Sequence, residues 1–163
     1  MAAERIRIGI IGVGQIGKSH LRQYAEIGEA EVVALADLDT GELEQVAAQH
    51  RIPHTYADFR ELLRRDDVEA VDVCLHNNLH APVTIAALAA GKHVYCEKPI
   101  AGSYCDGKAM VDNARRCGRK LSIQLATLFA KETKIARHLI DAGRLGRVYH
   151  ARSCGYRRRG RPF

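Results

Sequence analysis

Short β-branched runs alternate with longer segments of helical spacing along the whole chain. Ile6 to Ile11 reads as a strand that stops at Gly12, and Ile16, Leu21, Tyr24 and Ala25 then share one helical face. "EVVALAD", residues 31–37, returns to strand composition, and Thr40 opens a helix with Leu43, Val46 and Ala47 on one side. Asp58 and Glu61 form a capping pair for a short helix through Leu62 and Leu63, after which "EAVDVCL", residues 69–75, is the next strand. "APVTIAALAA", residues 81–90, predicts a helix with Pro82 in its first turn and Gly91 past its end, and His93 to Cys96 predicts a strand. Ser103 with Asp106 caps a helix built on Gly107, Met110, Val111, Ala114 and Cys117, and "LSIQL" closes that unit. A last helix uses Ile135, Ala136, Leu139 and Ile140 and ends at Gly143, and Val148 begins a further strand.

Strands separated by helices predict an α/β fold with a doubly wound parallel sheet, because parallel neighbours need crossovers that cover both faces. The 163 residues, 47% hydrophobic and 27% charged, suffice for one well-buried domain. No apolar run reaches the roughly 18 residues of a membrane span, and the N-terminus enters a strand without a signal peptide, so a soluble cytoplasmic protein with no membrane partner is expected. The five cysteines are odd in number and form no Cys-x-x-Cys pair, which fits reduced thiols. Cys96, beside an unusual Glu-Lys-Pro turn, is the one to watch. The net charge of +6 is local: residues 147–163 hold six arginines and no acid, against 19 basic and 19 acidic residues before them. Such a tail, with Tyr156 the one aromatic interleaved from Arg152 to Arg161, is a weak nucleic-acid signal, and no nucleic-acid partner is expected.

Gly12-Val13-Gly14-Gln15-Ile16-Gly17 matches G-x-G-x-x-G between a strand and a helix. In that pattern the first glycine turns the chain, the second admits a pyrophosphate to the backbone, and the third lets helix and strand approach. Asp37 ends the second strand 20 residues after Gly17, where a carboxylate accepts hydrogen bonds from an adenosine ribose. NAD is therefore the expected cofactor. NADP is less favoured, since its 2′-phosphate would face Asp37 and Asp39 with no obvious arginine between them. His20, on the first helix, reads as a packing or surface residue. His76 and His80 stand four apart but lack the internal glutamate of a zinc helix, so no metal is expected. Ligands of open parallel sheets bind beyond the carboxyl ends of the strands, so the loop at Leu75 to His80 and the turn at Glu97 to Pro99 should both face the reactive end of a dinucleotide.

The combination of Gly12 to Gly17, Asp37, "NNLHAP", "AGKHVYCEKPIA" and "GRLGRVYHARS" resembles the glucose-fructose oxidoreductase and inositol dehydrogenase family of NAD(P)-dependent oxidoreductases. The resemblance covers essentially the whole chain, yet corresponds only to that family's N-terminal, Rossmann-type cofactor domain. It implies a division into a dinucleotide-binding domain, residues 1–146, and the start of a missing or truncated C-terminal substrate domain, residues 147–163. It also implies the roles of the residues: Gly12, Gly14, Gln15, Ile16, Gly17, Asp37, Leu75, His76, Asn77, His80, Glu97 and Lys98 around the cofactor, with Lys98 also the catalytic residue against the substrate hydroxyl beside a cis peptide to Pro99. The chain departs from the family at Leu75-His76, where Thr-Pro is usual, and at Leu128, where an arginine is often found. The substrate-side Asp and His that usually supply the base have no matching positions. The implied function is hydride transfer between NAD and a secondary alcohol of a sugar, polyol or inositol, in a protein that forms a homo-oligomer at full length. An NAD-dependent glycosidase of the same family and a non-catalytic NAD-binding module are the alternatives.

Overall fold

The computed structural model describes residues 5–155. Two compact units divide the chain, Met1–Gln124 and Leu125–Phe163. The first is built on six parallel strands: β1 (Ile6–Ile11), β2 (Ala30–Ala36), β3 (His54–Tyr56), β4 (Ala70–Val73), β5 (His93–Cys96) and β6 (Leu121–Ile123), in the order β3-β2-β1-β4-β5-β6. The helices α1 (Gln15–Tyr24), α2 (Thr40–His50), α3 (Phe59–Leu63), α4 (Asn77–Ala89) and α5 (Tyr104–Arg116) connect them. The order reverses between β1 and β4, which makes the doubly wound, Rossmann-type arrangement and opens a crevice at their carboxyl ends.

Both faces are sealed by apolar side chains. Ile8, Ile10, Leu21, Leu35, Leu43 and Val46 pack on one, and Ile11, Leu62, Val71, Val73, Leu88, Val94 and Met110 on the other. Each such side chain contributes about 1.5–3 kcal/mol by leaving water. The ladder continues past the strand ends, with Gly12 N donating to Ala36 O (2.8 Å), Cys74 N to Ile11 O (2.8 Å) and Glu97 N to Val73 O (3.0 Å). The loops that leave these strands therefore start from fixed backbone.

Several boundaries differ from the pattern reading. β3 was not expected, being three residues long with no fully buried position. α4 starts at Asn77, so Pro82 sits in its second turn instead of its first. Apolar spacing begins only at Ala81 because residues 76–79 are exposed at the crevice, where helix and hydrophobicity part company. The hydrogen bond that Pro82 cannot make is to the carbonyl of Asn78, itself an exposed residue. Ile16, counted on the apolar stripe of α1, is 47% exposed. In the second unit a 3₁₀ turn (Ala126–Phe129) leads into α6 (Lys131–Asp141), and Gly143 follows with φ +67°, as its position past the helix predicted. The strand expected from Val148 is not formed: residues 148–155 join no ladder, and a strand exists only through one. The rest of the arginine-rich tail, residues 156–163, lies outside the described residues.

Candidate coenzyme and reaction site

The carboxyl ends of β1, β2, β4 and β5 bring four loops to one edge of the sheet. From β1 the chain turns at Gly12, where φ is +99° and a Cβ would stand 2.4 Å from the carbonyl oxygen of Cys74. Neither the backbone angle nor the space admits another residue. A Cβ at Gly17 would lie 2.0 Å from the carbonyl oxygen of Gly12, so the start of α1 is pressed onto the turn. Gly14 is different. It has ordinary extended backbone, and a Cβ there would meet nothing within 4 Å. It is also the N-cap of α1 and provides no side-chain cap, so the positive end of the helix dipole faces outward. Open space and a donor-rich helix start are what a pyrophosphate requires, and the loop fits that group.

Asp37 follows β2 and is half-buried. Its Oδ2 accepts from the buried amide of Val13 at 2.8 Å and its Oδ1 from the amide of Asp39 at 3.0 Å. The carboxylate thus ties the glycine turn to the end of β2, and each oxygen keeps a lone pair for a further donor. Between these loops lies a cavity of about 710 Å³. Of the residues expected around a cofactor, Gly12, Gly14, Gln15, Ile16, Asp37, Leu75 and His76 line it. Gly17, Asn77, His80, Glu97 and Lys98 do not; Gly17 is packed behind the turn, and the others belong to the neighbouring end of the edge.

Sequence reasoning missed the far wall of this cavity. Leu38, 87% exposed, and the α3 residues Phe59 and Arg60 line it together with Asp39 and Asp58. Arg60, which was not foreseen, lines the same cavity as Asp37 and Asp39. Its guanidinium is held by Asp58 at 2.8 to 2.9 Å and lies 5.9 Å from the Phe59 ring centre. The signal was available, since Asp58 caps α3 through the amide of Arg60, but the sequence gap from Asp37 hid that both line one cavity.

At the other end, α4 turns His80 fully inward. Its Nδ1 is 2.6 Å from the carbonyl oxygen of Pro99 and its Nε2 3.0 Å from that of Leu75, so one ring bridges the loops after β4 and β5. Both nitrogens are committed there, which removes His80 from any pairing with His76, the exposed N-cap of α4. The Lys98–Pro99 peptide is cis, as the resemblance implied. Lys98 is exposed, while Glu97 is buried and its Oε2 accepts from the Lys98 amide at 3.0 Å. Cys96 is fully buried, its thiol directed at the carbonyl oxygen of Glu97 and pushed up to about 11 by burial, so it is an inert filler.

His20, read as a packing or surface residue, is packed inside and is paired there with two acids. It is 6% exposed, with Nδ1 2.8 Å from Asp72 Oδ2 and Nε2 3.3 Å from Glu97 Oε1. Asp72, fully buried in β4, also accepts from the Tyr24 hydroxyl at 3.0 Å and the Cys74 thiol at 3.4 Å. The hydrogen bond to Asp72, helped by the charges of Asp72 and Glu97, raises the His20 pKa above its ordinary value despite burial. Burial, reinforced by Asp72, pushes the Tyr24 hydroxyl and the Cys74 thiol far up, so both stay protonated donors.

A glycine turn under a helix start, an acid at the end of the second strand and a crevice at the reversal of strand order define a dinucleotide-binding domain of the doubly wound class. Residues 6–125 match the model of the oxidoreductase family with NAD-binding Rossmann fold. The chain belongs to that family. It is 33% identical over 144 residues to the inositol 2-dehydrogenase of Salmonella paratyphi B, covering 86% of this chain and 43% of that protein. It is 32% identical over 163 residues to the D-glucoside 3-dehydrogenase of Escherichia coli, covering 99% and 46%. The scyllo-inositol dehydrogenase of Lactobacillus casei, solved with NAD(H) and scyllo-inositol, superposes with a TM-score of 0.83 at 27% identity, over 88% of this chain and 43% of that one. The chain thus spans less than half the length of these relatives. Among the described residues no helix is long and apolar enough to cross a membrane.

Proposed function

We propose that this chain is the coenzyme-binding part of an NAD-dependent oxidoreductase acting on a secondary alcohol of a sugar, polyol or inositol. The observation that carries the reading is one sheet edge holding the open glycine loop, the Asp37 carboxylate and the exposed Lys98 on loops fixed by the ladder. The names of the relatives supply the substrate class.

When bound, NAD supplies the acceptor for the hydride that leaves the alcohol carbon. The residues of this chain do the rest of what can be assigned. Gly14 leaves room for the pyrophosphate and the start of α1 attracts its charge, while Gln15 and Ile16 follow it along the cavity. Asp37 accepts from the ribose hydroxyls on its remaining lone pairs, and Leu75 and His76 form the wall leading toward the reaction turn. Asn77 stands at the exposed start of α4, and His80 holds the two strand-end loops together. Lys98 orients and polarises the substrate oxygen, and the proton passes to a substrate-side base that none of these residues supplies. The cofactor domain reaches residue 146 in this proposal, and a cytoplasmic, homo-oligomeric protein is part of it.

Calorimetry with NAD and NADP tests the reading directly. Saturable NAD binding tighter than NADP binding is expected, and no heat with either coenzyme on folded material would defeat it. Product analysis separates the chemistry, since net NADH accumulation marks a dehydrogenase and sugar release without net reduction marks a glycosidase.

A further inference from the structure

Asp72 sits in the middle of β4 with no exposed surface, where an unpaired carboxylate costs several kcal/mol. Its partners are all donors: the His20 ring and Tyr24 hydroxyl of α1, and the thiol of Cys74 at the exit of β4 itself. His20, Asp72 and Cys74 bring one nitrogen, one oxygen and one sulfur atom within 4.8 Å of one another, and these atoms are joined by hydrogen bonds. What the cluster does is reach outward. From Asp72 the ring of His20 leads to Glu97 Oε1, and Glu97 Oε2 leads to the amide of Lys98.

We propose that His20 is a positioning residue for the turn that carries Lys98: gripped by Asp72 on one ring nitrogen, it donates with the other to Glu97 and holds that carboxylate against the Lys98 amide. This rests on the reading of Lys98 as the residue that meets substrate. It also gives Glu97 a defined job, since a carboxylate with one oxygen on His20 and the other on a backbone amide is spent in anchoring and is not aimed at a substrate proton. His20 is three residues past Gly17 on the same face of α1, so the helix that starts at the coenzyme loop also fixes the reaction turn.

Both neighbours of the ring are acceptors, so both bonds exist together only while both nitrogens carry hydrogen. The charged and titratable groups facing the ring are Tyr24 from α1, Asp72 and Cys74 from β4 and its exit, and Tyr95 and Glu97 from β5 and its exit. As pH rises the ring gives up one proton. The ion-pair contact to Glu97 at 3.3 Å is released before the 2.8 Å hydrogen bond to Asp72, and the Lys98 amide loses its anchor with it.

The test is nuclear magnetic resonance of the ¹⁵N-labelled 163-residue chain without coenzyme, from pH 5 to 9. The His20 ring is expected to carry two N–H groups at the acid end and to titrate with a midpoint above 6.5, with the Lys98 amide shifting at the same midpoint. A ring with one N–H throughout, or a Lys98 amide that ignores the ring's midpoint, overturns the proposal. In the folded His20→Gln variant, amide exchange at Lys98 is expected to quicken about tenfold or more while that of Leu35 in β2 stays unchanged; unchanged exchange at Lys98 also overturns it. Should His20→Gln not fold, the wild-type titration still decides. Failure of NAD to bind in calorimetry defeats the proposed function and leaves the ring-to-amide coupling standing, so the two failures are distinguishable.

Discussion

The three glycines of the turn make one experiment, because their surroundings differ so sharply. Alanine at 17 places a Cβ 2.0 Å from the carbonyl oxygen of Gly12, where non-bonded heavy atoms settle at roughly 3.5 Å. The obstacle is backbone, so no side chain can yield and the start of α1 must move by more than about 1 Å. Overpacking of this kind costs about 1–3 kcal/mol, and an immovable neighbour puts Gly17→Ala at the upper end. For a unit of this size that lowers the melting temperature by about 10 °C. Gly12→Ala combines a 2.4 Å contact with Cys74 O and a φ of +99°, which adds about 1–2 kcal/mol of left-handed strain. Gly14→Ala meets nothing within 4 Å and its backbone suits alanine, so the gain of about 0.4–1 kcal/mol through the unfolded chain is offset by alanine's poorer fit at the N-cap and stability changes by less than about 1 kcal/mol. Its methyl group occupies the space left for a pyrophosphate, and NAD affinity falls at least about tenfold, some 1.4 kcal/mol. Thermal melts followed by circular dichroism and calorimetry with NAD give both quantities for each variant. A Gly14→Ala protein that binds NAD like the wild type would refute the placement of the phosphates. A Gly17→Ala protein that melts with the wild type would refute the packing argument.

Asp37→Ser removes the acceptor for the buried Val13 amide, so it loses about 1–3 kcal/mol of stability while its NAD-to-NADP affinity ratio falls; adding Asp58→Asn loosens the hold on Arg60 and moves the ratio further, and an unmoved ratio in paired titrations removes Asp37 from the ribose site. Lys98→Ala, at an exposed position, keeps the melting temperature and NAD affinity of the parent and abolishes alcohol-dependent NADH production in a protein that turns over; unchanged turnover takes Lys98 out of the mechanism. Because the folded pKa of His20 is raised above 6.5, its contribution to stability is complete below about 6.5 and is lost as pH rises through the folded value. Urea midpoints measured between pH 6 and 9 should therefore decline in the wild type and decline less in His20→Gln, and parallel curves would deny the linkage.

The edge of the sheet was legible in the sequence because its loops follow from local rules. Gly12 and Gly17 announce a turn that no other residue can make, and Asp37 announces itself by ending an apolar run at a fixed distance from them. Helix starts were legible where a side chain caps them, as Ser103 does by accepting from the amide of Asp106 and Asp58 by accepting from that of Arg60. They were not where the cap is His76 and the first turn is exposed, since nothing local then marks the boundary and the apolar pattern starts a turn late.

The charged interior was illegible for a different reason. Hydrophobic periodicity places a residue on a face but does not say what it meets there. Tyr24 fits an apolar stripe, yet its hydroxyl serves Asp72, and Asp72 is one acid in "AVDV", a segment whose other residues are apolar. His20, Asp72 and Glu97 lie 52 and 25 residues apart in sequence, and only the parallel register that sets Asp72 opposite Tyr95 brings β4 and β5 together beneath α1. A buried carboxylate in a strand is nevertheless a signal that could have been weighed. It is costly enough that the fold must supply donors, and α1, packed over the neighbouring strand, is where they have to come from. The same reasoning explains why the glycine loop and the turn at Glu97 to Pro99 are not independent. One helix begins at Gly14 on the outside and delivers His20 on the inside, so displacing its start, as Gly17→Ala does, also disturbs the Glu97 anchor of Lys98 two strands away.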